Sequence, residues 1–386
     1  MERIPVAARQ DWKDTAREHG FVFHSIDNDP YWDETAYYKF SLRQIEEDLE
    51  APSEELEKLC FDVVERVVGD RQLMKRIGIP EYYWDFVANS WQQQDRNLYG
   101  RMDFAYDGKG PAKLLEYNAD TPTTLYETSI FQWVWLEQAM ERGLIPAGCD
   151  QFNSVHEKLL EALPNLGIHE VLHLACASDS EEDQGTIDYI ADCARQAGLD
   201  TRTLLMDDIG IDEHGQFTDL DDRLITDLFK LYPWEWIMAE DFGENIARSG
   251  ARFLEPPWKT ILSNKGLLPL LWEMFEGHPN LLPSYFEDDP KASELGDTYI
   301  RKPLYSREGL NISVVRDGRV DYSIDGPYGV EGYIVQAYNP LPEFDGNFAM
   351  TGCWLVASQA AGMCVREDKS FITGDDSRFI PHVIID

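Results

Sequence analysis

Just past residue 100, two short runs carry polar groups at a spacing that chemistry can use. In RMDFAY, Arg101 and Asp103 stand two apart; in LLEYNAD, so do Glu116 and Asn118. Both runs read as strands, and a strand turns alternate side chains to opposite faces, so each pair shares a face. The intervening YDGKGPA offers two turns. A two-residue loop at Lys109-Gly110 sets Asp103 across from Glu116 and Arg101 across from Asn118, whereas a turn at Asp107-Gly108 shifts that register. Opposed carboxylates repel unless a cation lies between them. Carboxylate and amide oxygens suit Mg²⁺, which completes its shell with phosphate and water. An adjacent arginine can then neutralise charge on a transferring phosphoryl group. The alternative is an exposed strand face with an Arg–Asp ion pair.

The continuation NADTPTT places the hydroxyls of Thr121, Thr123 and Thr124 directly after the second strand. They can bond a substrate or satisfy their own loop backbone. Lys265 in SNKGLLPLLWEM falls at a predicted helix start. Lys302 in YIRKPLYSREGLNI falls at a strand end, before a loop holding Arg307, Glu308 and Gly309. Lysine meets phosphate as a point charge, and a mobile loop can fold over a triphosphate. For each lysine the alternative is solvated surface. No GxxxxGK[ST] occurs, which argues against a P-loop nucleotide site.

These groups must be positioned by mixed α and β segments. The first hundred residues read as mainly helical: SLRQIEEDLEAPSEELEKLCFDVVERVVGD has helical spacing, with Pro52-Ser53 as a break and a fresh N-terminus. Residues 125–143 read as an amphipathic helix whose aromatics serve packing. Residues 167–205 read as strand, acidic loop, helix ending at Gly198, and strand, a βαβ-like unit. From residue 299 onward the runs are β-rich, and no internal repeat or low-complexity tract appears.

The 386 residues, 43% of them hydrophobic, allow two or three lobes with a substantial core. Subtracting 71 acidic from 34 basic residues leaves −37. Such a surface repels nucleic acid. It can attract a cationic small molecule such as a polyamine, although solubility alone also accounts for acidity. The six cysteines (Cys60, Cys149, Cys176, Cys193, Cys353, Cys364) include no CxxC pair, which indicates neither a zinc ribbon nor a disulfide framework. MERIPVAARQDWKD lacks the apolar core of a signal peptide, and no run reaches membrane-spanning length. A cytoplasmic protein without a membrane partner is expected.

Taken together, RMDF…LLEYNADTPTT, SNKGLLPLLW, RKPLYSREGLN and CWLVASQAAGMCVRED, in this order in a chain of this length, resemble the glutathionylspermidine synthetase family. They resemble in particular its stand-alone, synthetase-like acid–amine ligases of bacteria. The resemblance extends from roughly residue 10 to the C-terminus and implies one catalytic unit over 1–386, without the N-terminal amidase domain of bifunctional members. The implied fold class is α+β: a glutathione-synthetase-like ATP-grasp fold, with ATP between the sheets of two lobes, interlocked with a pre-ATP-grasp-like α/β lobe. Residues 1–150 would form the helical part plus the metal hairpin, 151–250 the α/β substrate lobe, and 251–386 the ATP-grasp lobes.

The implied chemistry uses ATP and Mg²⁺, two ions in number, to turn a carboxylate into an acyl phosphate that an amine attacks. By the resemblance, Asp103, Glu116 and Asn118 match the Mg²⁺ ligands and Arg101 the transition-state arginine. Lys265 and Lys302 match the phosphate lysines, and Arg307, Glu308 and Gly309 the mobile loop. Gln336 in YIVQAY resembles part of the adenine hinge, with Phe371 lining the same pocket, and Arg366 in CVRED resembles the arginine that binds the acid's carboxylate. Thr121, Thr123 and Thr124 replace small serines and a cysteine of the bifunctional enzymes, at the place of a glutathione-like peptide substrate. Glu182 and Asp183 fall near the family's polyamine-binding acids. A carboxylic acid and an amine are thus the expected partners, with a polyamine as candidate amine. Two other readings are a nucleotide-dependent phosphoryl transferase and a non-catalytic nucleotide or polyamine sensor. Retention of Arg101 beside three metal-type side chains speaks against the sensor, which needs no transition-state stabilisation.

Overall fold

In a computed structural model, which describes residues 1–26, 29–374 and 377–385, the strands Tyr99–Ala105 and Lys113–Asn118 pair antiparallel. Asp103 lies opposite Glu116 and Arg101 opposite Asn118. That is the register of a two-residue loop, yet the connection runs from residue 106 to 112. A bulge reconciles the two: Asp103 pairs with Glu116 but Phe104 with Leu114, which leaves Leu115 as the extra residue.

This hairpin is one side of a larger antiparallel sheet. Its order is Arg378–Ile380, Gln359–Asp368, Asn347–Val356, Tyr99–Ala105, Lys113–Asn118, with Glu343–Phe344 added beside Asn347–Val356. Strands more than two hundred residues apart therefore share one ladder. A second antiparallel sheet runs Ser284–Phe286, Tyr333–Ala337, Tyr299–Pro303, Ser313–Arg316, Arg319–Ser323. A third, all parallel, runs Arg252–Leu254, Asp227–Leu231, Val171–Cys176, Asp200–Leu205. Within it, Val171–Cys176, the helix Glu181–Gln196 and Asp200–Leu205 form the expected βαβ unit. The acidic stretch is not a loop throughout. Glu182 and Asp183 begin the helix, where Ser180 Oγ accepts the Asp183 N–H at 3.1 Å, and acids favour a helix N-terminus.

Two expectations for the first hundred residues need correction. Helices do not dominate before residue 42, because Glu2–Pro5 and the aromatic-rich Ala36–Phe40 form a sheet with His382–Ile384. Nor does Pro52 break the helix. Helical backbone continues from Leu42 to Val68 through a π turn at Glu46–Glu50, and the Ala51 N–H reaches five residues back to Glu46 O. A proline ring normally clashes with the carbonyl four residues earlier, and the widened turn relieves that clash.

Every residue of Tyr99–Ala105 is buried, so both faces of the strand are covered. On one side Met102, Phe104 and Tyr117 join a core with Leu56, Cys60 and Val63 of the helix Ala51–Val68, and Tyr117 donates to Glu57 Oε1 at 2.7 Å. Each large apolar side chain removed from water contributes about 1.5–3 kcal/mol. The other face carries Arg101, Asp103, Glu116 and Asn118. The strand's start is pinned by a buried ion pair: Glu255 accepts the N–H groups of Leu98 and Tyr99 at 3.0 and 3.1 Å, while Lys259 Nζ lies 3.1 Å from Glu255 and 2.6 Å from Tyr99 O. Gly352, opposite Asp103, leaves room for Arg101: a Cβ there would meet Arg101 Cδ at 2.8 Å. Among the described residues no disulfide forms, and no helix is long and apolar enough to cross a membrane.

Candidate active site

The polar face of the hairpin opens into a cleft enclosing about 1370 Å³, space open to solvent included. Its walls come from both antiparallel sheets and the segments joining them. Arg101, Asp103, Glu116, Asn118, Thr121 and Thr123 line it from the hairpin side. Lys302, Arg307, Glu308, Gly309 and Gln336 line it from the five-stranded sheet, and Arg366 and Phe371 close it from the C-terminal strands. Lys265 joins them by its 3.1 Å ion pair with Glu116. Glu182 and Asp183 stand apart, in the first turn of their helix, and reach the site through their charge.

Arg101 and Asp103 do form the ion pair of the simpler reading, but not on an exposed face: each is 3% exposed. Arg101 Nε and Nη2 grip the two Asp103 oxygens at 2.7 and 2.9 Å, and Nη1 donates to Thr123 O at 2.5 Å and Thr124 Oγ1 at 3.2 Å. Such a two-pronged, charge-assisted grip fixes the guanidinium plane. Asn118 Nδ2 lies 2.9 Å from Asp103 Oδ2 and 3.4 Å from Glu116 Oε1, so the three oxygen-bearing groups converge.

Burial alone would raise the Glu116 carboxyl, but the charges of Lys265 and Lys302 outweigh it and hold the group at about 2. Glu116 is therefore a carboxylate at any physiological pH. For Asp103 burial prevails over Arg101, and its affinity for a proton rises. Burial pulls Lys302 down to about 8 against the opposing charge of Glu116. Lys302 Nζ is held 2.8 Å from both Leu115 O and Gln336 Oε1. The bulge thus serves twice, setting the hairpin register and presenting a free carbonyl to this lysine. Lys265 Nζ also donates to Ser306 O at 2.9 Å.

The side chain of Gln336 is committed to Lys302 and to Leu114 O, at 3.4 Å. Beyond it, residues 337–341, with Ile300, Ile312, Met350 and Phe371, make an apolar end of the cleft. The loop after Lys302 crosses the mouth. Arg307 Nη1 donates to Thr121 Oγ1 at 2.7 Å, its guanidinium lies 5.6 Å from the Trp236 ring centre, and Gly309, at φ +72°, packs where a Cβ would meet Ile372 at 2.7 Å. Arg366 donates Nη2 to Gly374 O at 2.9 Å.

Spacing gives no sign of several further groups. Asp120 and Glu235 line the cleft, and Asp120 is locked by Lys230 Nζ at 2.6 Å and the Trp234 N–H at 2.8 Å. Lys230 and Trp234 belong to the parallel sheet and the helix after it, over a hundred residues from Asp120. The one local clue was the acid inside NADTP, between metal-type and hydroxyl residues.

Among the described residues no group of three or more His, Cys, Asp and Glu side chains gathers at metal-binding range. A cation here depends on Asn118 as the third donor. Two carboxylates, one firmly ionised, and an amide are hard oxygen ligands of the kind Mg²⁺ takes, so the donor set fits.

A family model described as glutathionylspermidine synthase preATP-grasp matches residues 3–385. A Haemophilus influenzae protein named as a candidate acid–amine ligase is 38% identical over 382 residues, covering 95% of each chain. Trypanothione synthetase of Crithidia fasciculata is 29% identical across 89% of this chain and 55% of its own. The bifunctional glutathionylspermidine synthetase/amidase of Escherichia coli is 27% identical across 93% and 60%. The chain thus spans somewhat over half the length of these last two relatives. Among solved structures, a glutathione synthetase-like effector from Globodera pallida superposes with a TM-score of 0.56 over 97% of this chain and 96% of its own, at 11% identity, a likeness of fold.

Proposed function

The chain belongs to the glutathionylspermidine synthase family of ATP-dependent acid–amine ligases, and we propose that it activates a carboxylic acid as an acyl phosphate and passes the acyl group to an amine. The fold is read as ATP-grasp, with the nucleotide between the two antiparallel sheets. The observation that carries the proposal is the meeting of Asp103, Glu116 and Asn118 with Arg101, Lys265 and Lys302 in one cleft.

Asp103, Glu116 and Asn118 would hold Mg²⁺, which neutralises phosphate charge when bound. Lys265 and Lys302 are cations within reach of the same face and suit the phosphates of ATP. Arg101, rigid and permanently charged, is placed to stabilise the phosphoryl group in transfer and then the acyl phosphate. The apolar end at residues 337–341 and Phe371 suits the adenine, in place of the Gln336 side chain. Arg307, Glu308 and Gly309 cover the mouth, so that an acyl phosphate is kept from water. Arg366, Thr121 and Thr123 would bind the acid, and the acidic turn of Glu182 and Asp183 would draw the cationic amine. A glutathione-like peptide and a polyamine are the first candidates.

A matrix of carboxylic acids against amines, read by ADP release and product mass, tests this. Adding hydroxylamine in place of the amine should yield a hydroxamate wherever ADP appears. ADP release to another acceptor with no hydroxamate from any acid would instead mark a phosphoryl transferase.

A further inference from the structure

Behind the apolar end of the cleft, Arg316 reaches two rings that belong to different sheets. Tyr338 directly follows the strand Tyr333–Ala337, Phe371 lies in the segment after Gln359–Asp368, and both line the cleft. The Arg316 guanidinium carbon lies 5.0 Å from the centre of the Tyr338 ring and 5.1 Å from that of Phe371. Its Nη2 donates to the Tyr338 hydroxyl at 2.6 Å. Strand register explains the meeting. Val315 and Ala337 both lie opposite Tyr299, so Ser313–Arg316 and Tyr333–Ala337 run parallel, with Tyr299–Pro303 between them. Arg316 and Tyr338, one residue further along each, stand at the same end of the sheet, about 10 Å apart in backbone, a span that an arginine side chain covers.

Phe371 needs such a hold. It is 40% exposed and lies outside any strand, so its own backbone does not fix it in place. Phe348, 5.0 Å away, comes from its own sheet, whereas Arg316 and the edge-on Tyr322, at 6.3 Å, come from the five-stranded one. Next to it, Ile372 is buried in a cluster with Ile312 and Val314. A surface ion pair does not account for Arg316. Asp321 stands 3.4 Å from its Nε, with the two side chains 38% and 45% exposed, and pairs of that kind contribute little. The Nε is buried and makes no hydrogen bond, so the guanidinium plane follows the rings and not Asp321. A cation is drawn to the negative face of an aromatic ring, and the flat guanidinium stacks there well.

We propose that Arg316 is a positioning residue for the nucleotide base. By joining Phe371 to Tyr338 it ties the two antiparallel sheets together at the apolar end and keeps that end shaped for adenine. Arg316 does not line the cleft, so it acts through the two rings without touching the base. The inference rests on the reading of this end as the base site and adds the residue that holds its walls. It concerns binding alone and stands apart from the acyl-transfer chemistry.

Calorimetric titration with Mg²⁺ and a non-hydrolysable ATP analogue tests it on the wild type, Arg316→Met, Phe371→Leu and the double variant. Methionine keeps most of the apolar stem and removes the charge. Arg316→Met should weaken binding about tenfold. Because Arg316 works through Phe371, the loss in the double variant should fall well short of the product of the two single losses. Arg316→Lys should recover part of the affinity, since an ammonium still attracts the rings. The stoichiometry of the titration counts folded protein, so partial misfolding lowers the number of sites and leaves the affinity readable. An unchanged affinity in Arg316→Met overturns the proposal, as do losses that simply multiply in the double variant. A wild type that binds the analogue but releases no ADP with any acid counts against the ligase reading alone. One that binds no analogue overturns the base site, and the role of Arg316 falls with it.

Discussion

Arg101 and Lys302 illustrate opposite uses of burial. Arginine keeps its charge whatever its surroundings, so Arg101 can be sealed against Asp103 and still serve as a cation. Lysine cannot, and Lys302 sits at about 8 because burial outweighs the pull of Glu116. The sign follows directly: the ammonium that meets phosphate is intact below pH 8 and is lost above it. The KM for ATP should therefore rise about tenfold between pH 7 and 9. Lys302→Arg should flatten that rise, which initial rates at several pH values would reveal. The four hairpin groups were legible in the sequence because a period of two puts them on one face. Asp120 and Glu235 were not, since their significance comes from burial and from elements distant in the chain.

The hairpin as an element shows how a right pairing can rest on a wrong turn. The sequence allowed a two-residue loop at Lys109-Gly110, and the chain instead uses a longer connection with Leu115 bulged out. A bulge of one residue leaves no mark in composition, so turn chemistry alone could not locate it. The same holds for the anchor at the strand's start. Glu255 and Lys259 are fully buried, and together they hold the backbone at Leu98 and Tyr99, two residues from Arg101. Glu255→Ala would strand a buried ammonium and should destabilise the protein by about 3–5 kcal/mol. Chemical denaturation would measure it. A surface change such as Glu213→Ala, at an exposed loop, should leave the midpoint within about 0.5 kcal/mol of the wild type.

For the whole molecule, the βαβ unit and the β-rich C-terminal part could be read from local patterns, but the assembly of sheets could not. Joining Tyr99–Ala105 to Asn347–Val356 is a contact between distant strands, which no local period encodes. That long-range pairing sets the proposed phosphate face against the second antiparallel sheet and makes the cleft. Net charge constrains partners only loosely: −37 argues against nucleic acid and fits a cationic amine without naming one. In the proposed mechanism Mg-ATP is gripped where these two sheets meet. A crystal structure with Mg²⁺ and a non-hydrolysable ATP analogue tests it most directly. Metal is expected on Asp103, Glu116 and Asn118, phosphates beside Arg101, Lys265 and Lys302, and adenine against residues 337–341. Nucleotide bound elsewhere, or those side chains turned away from the phosphates, would contradict it.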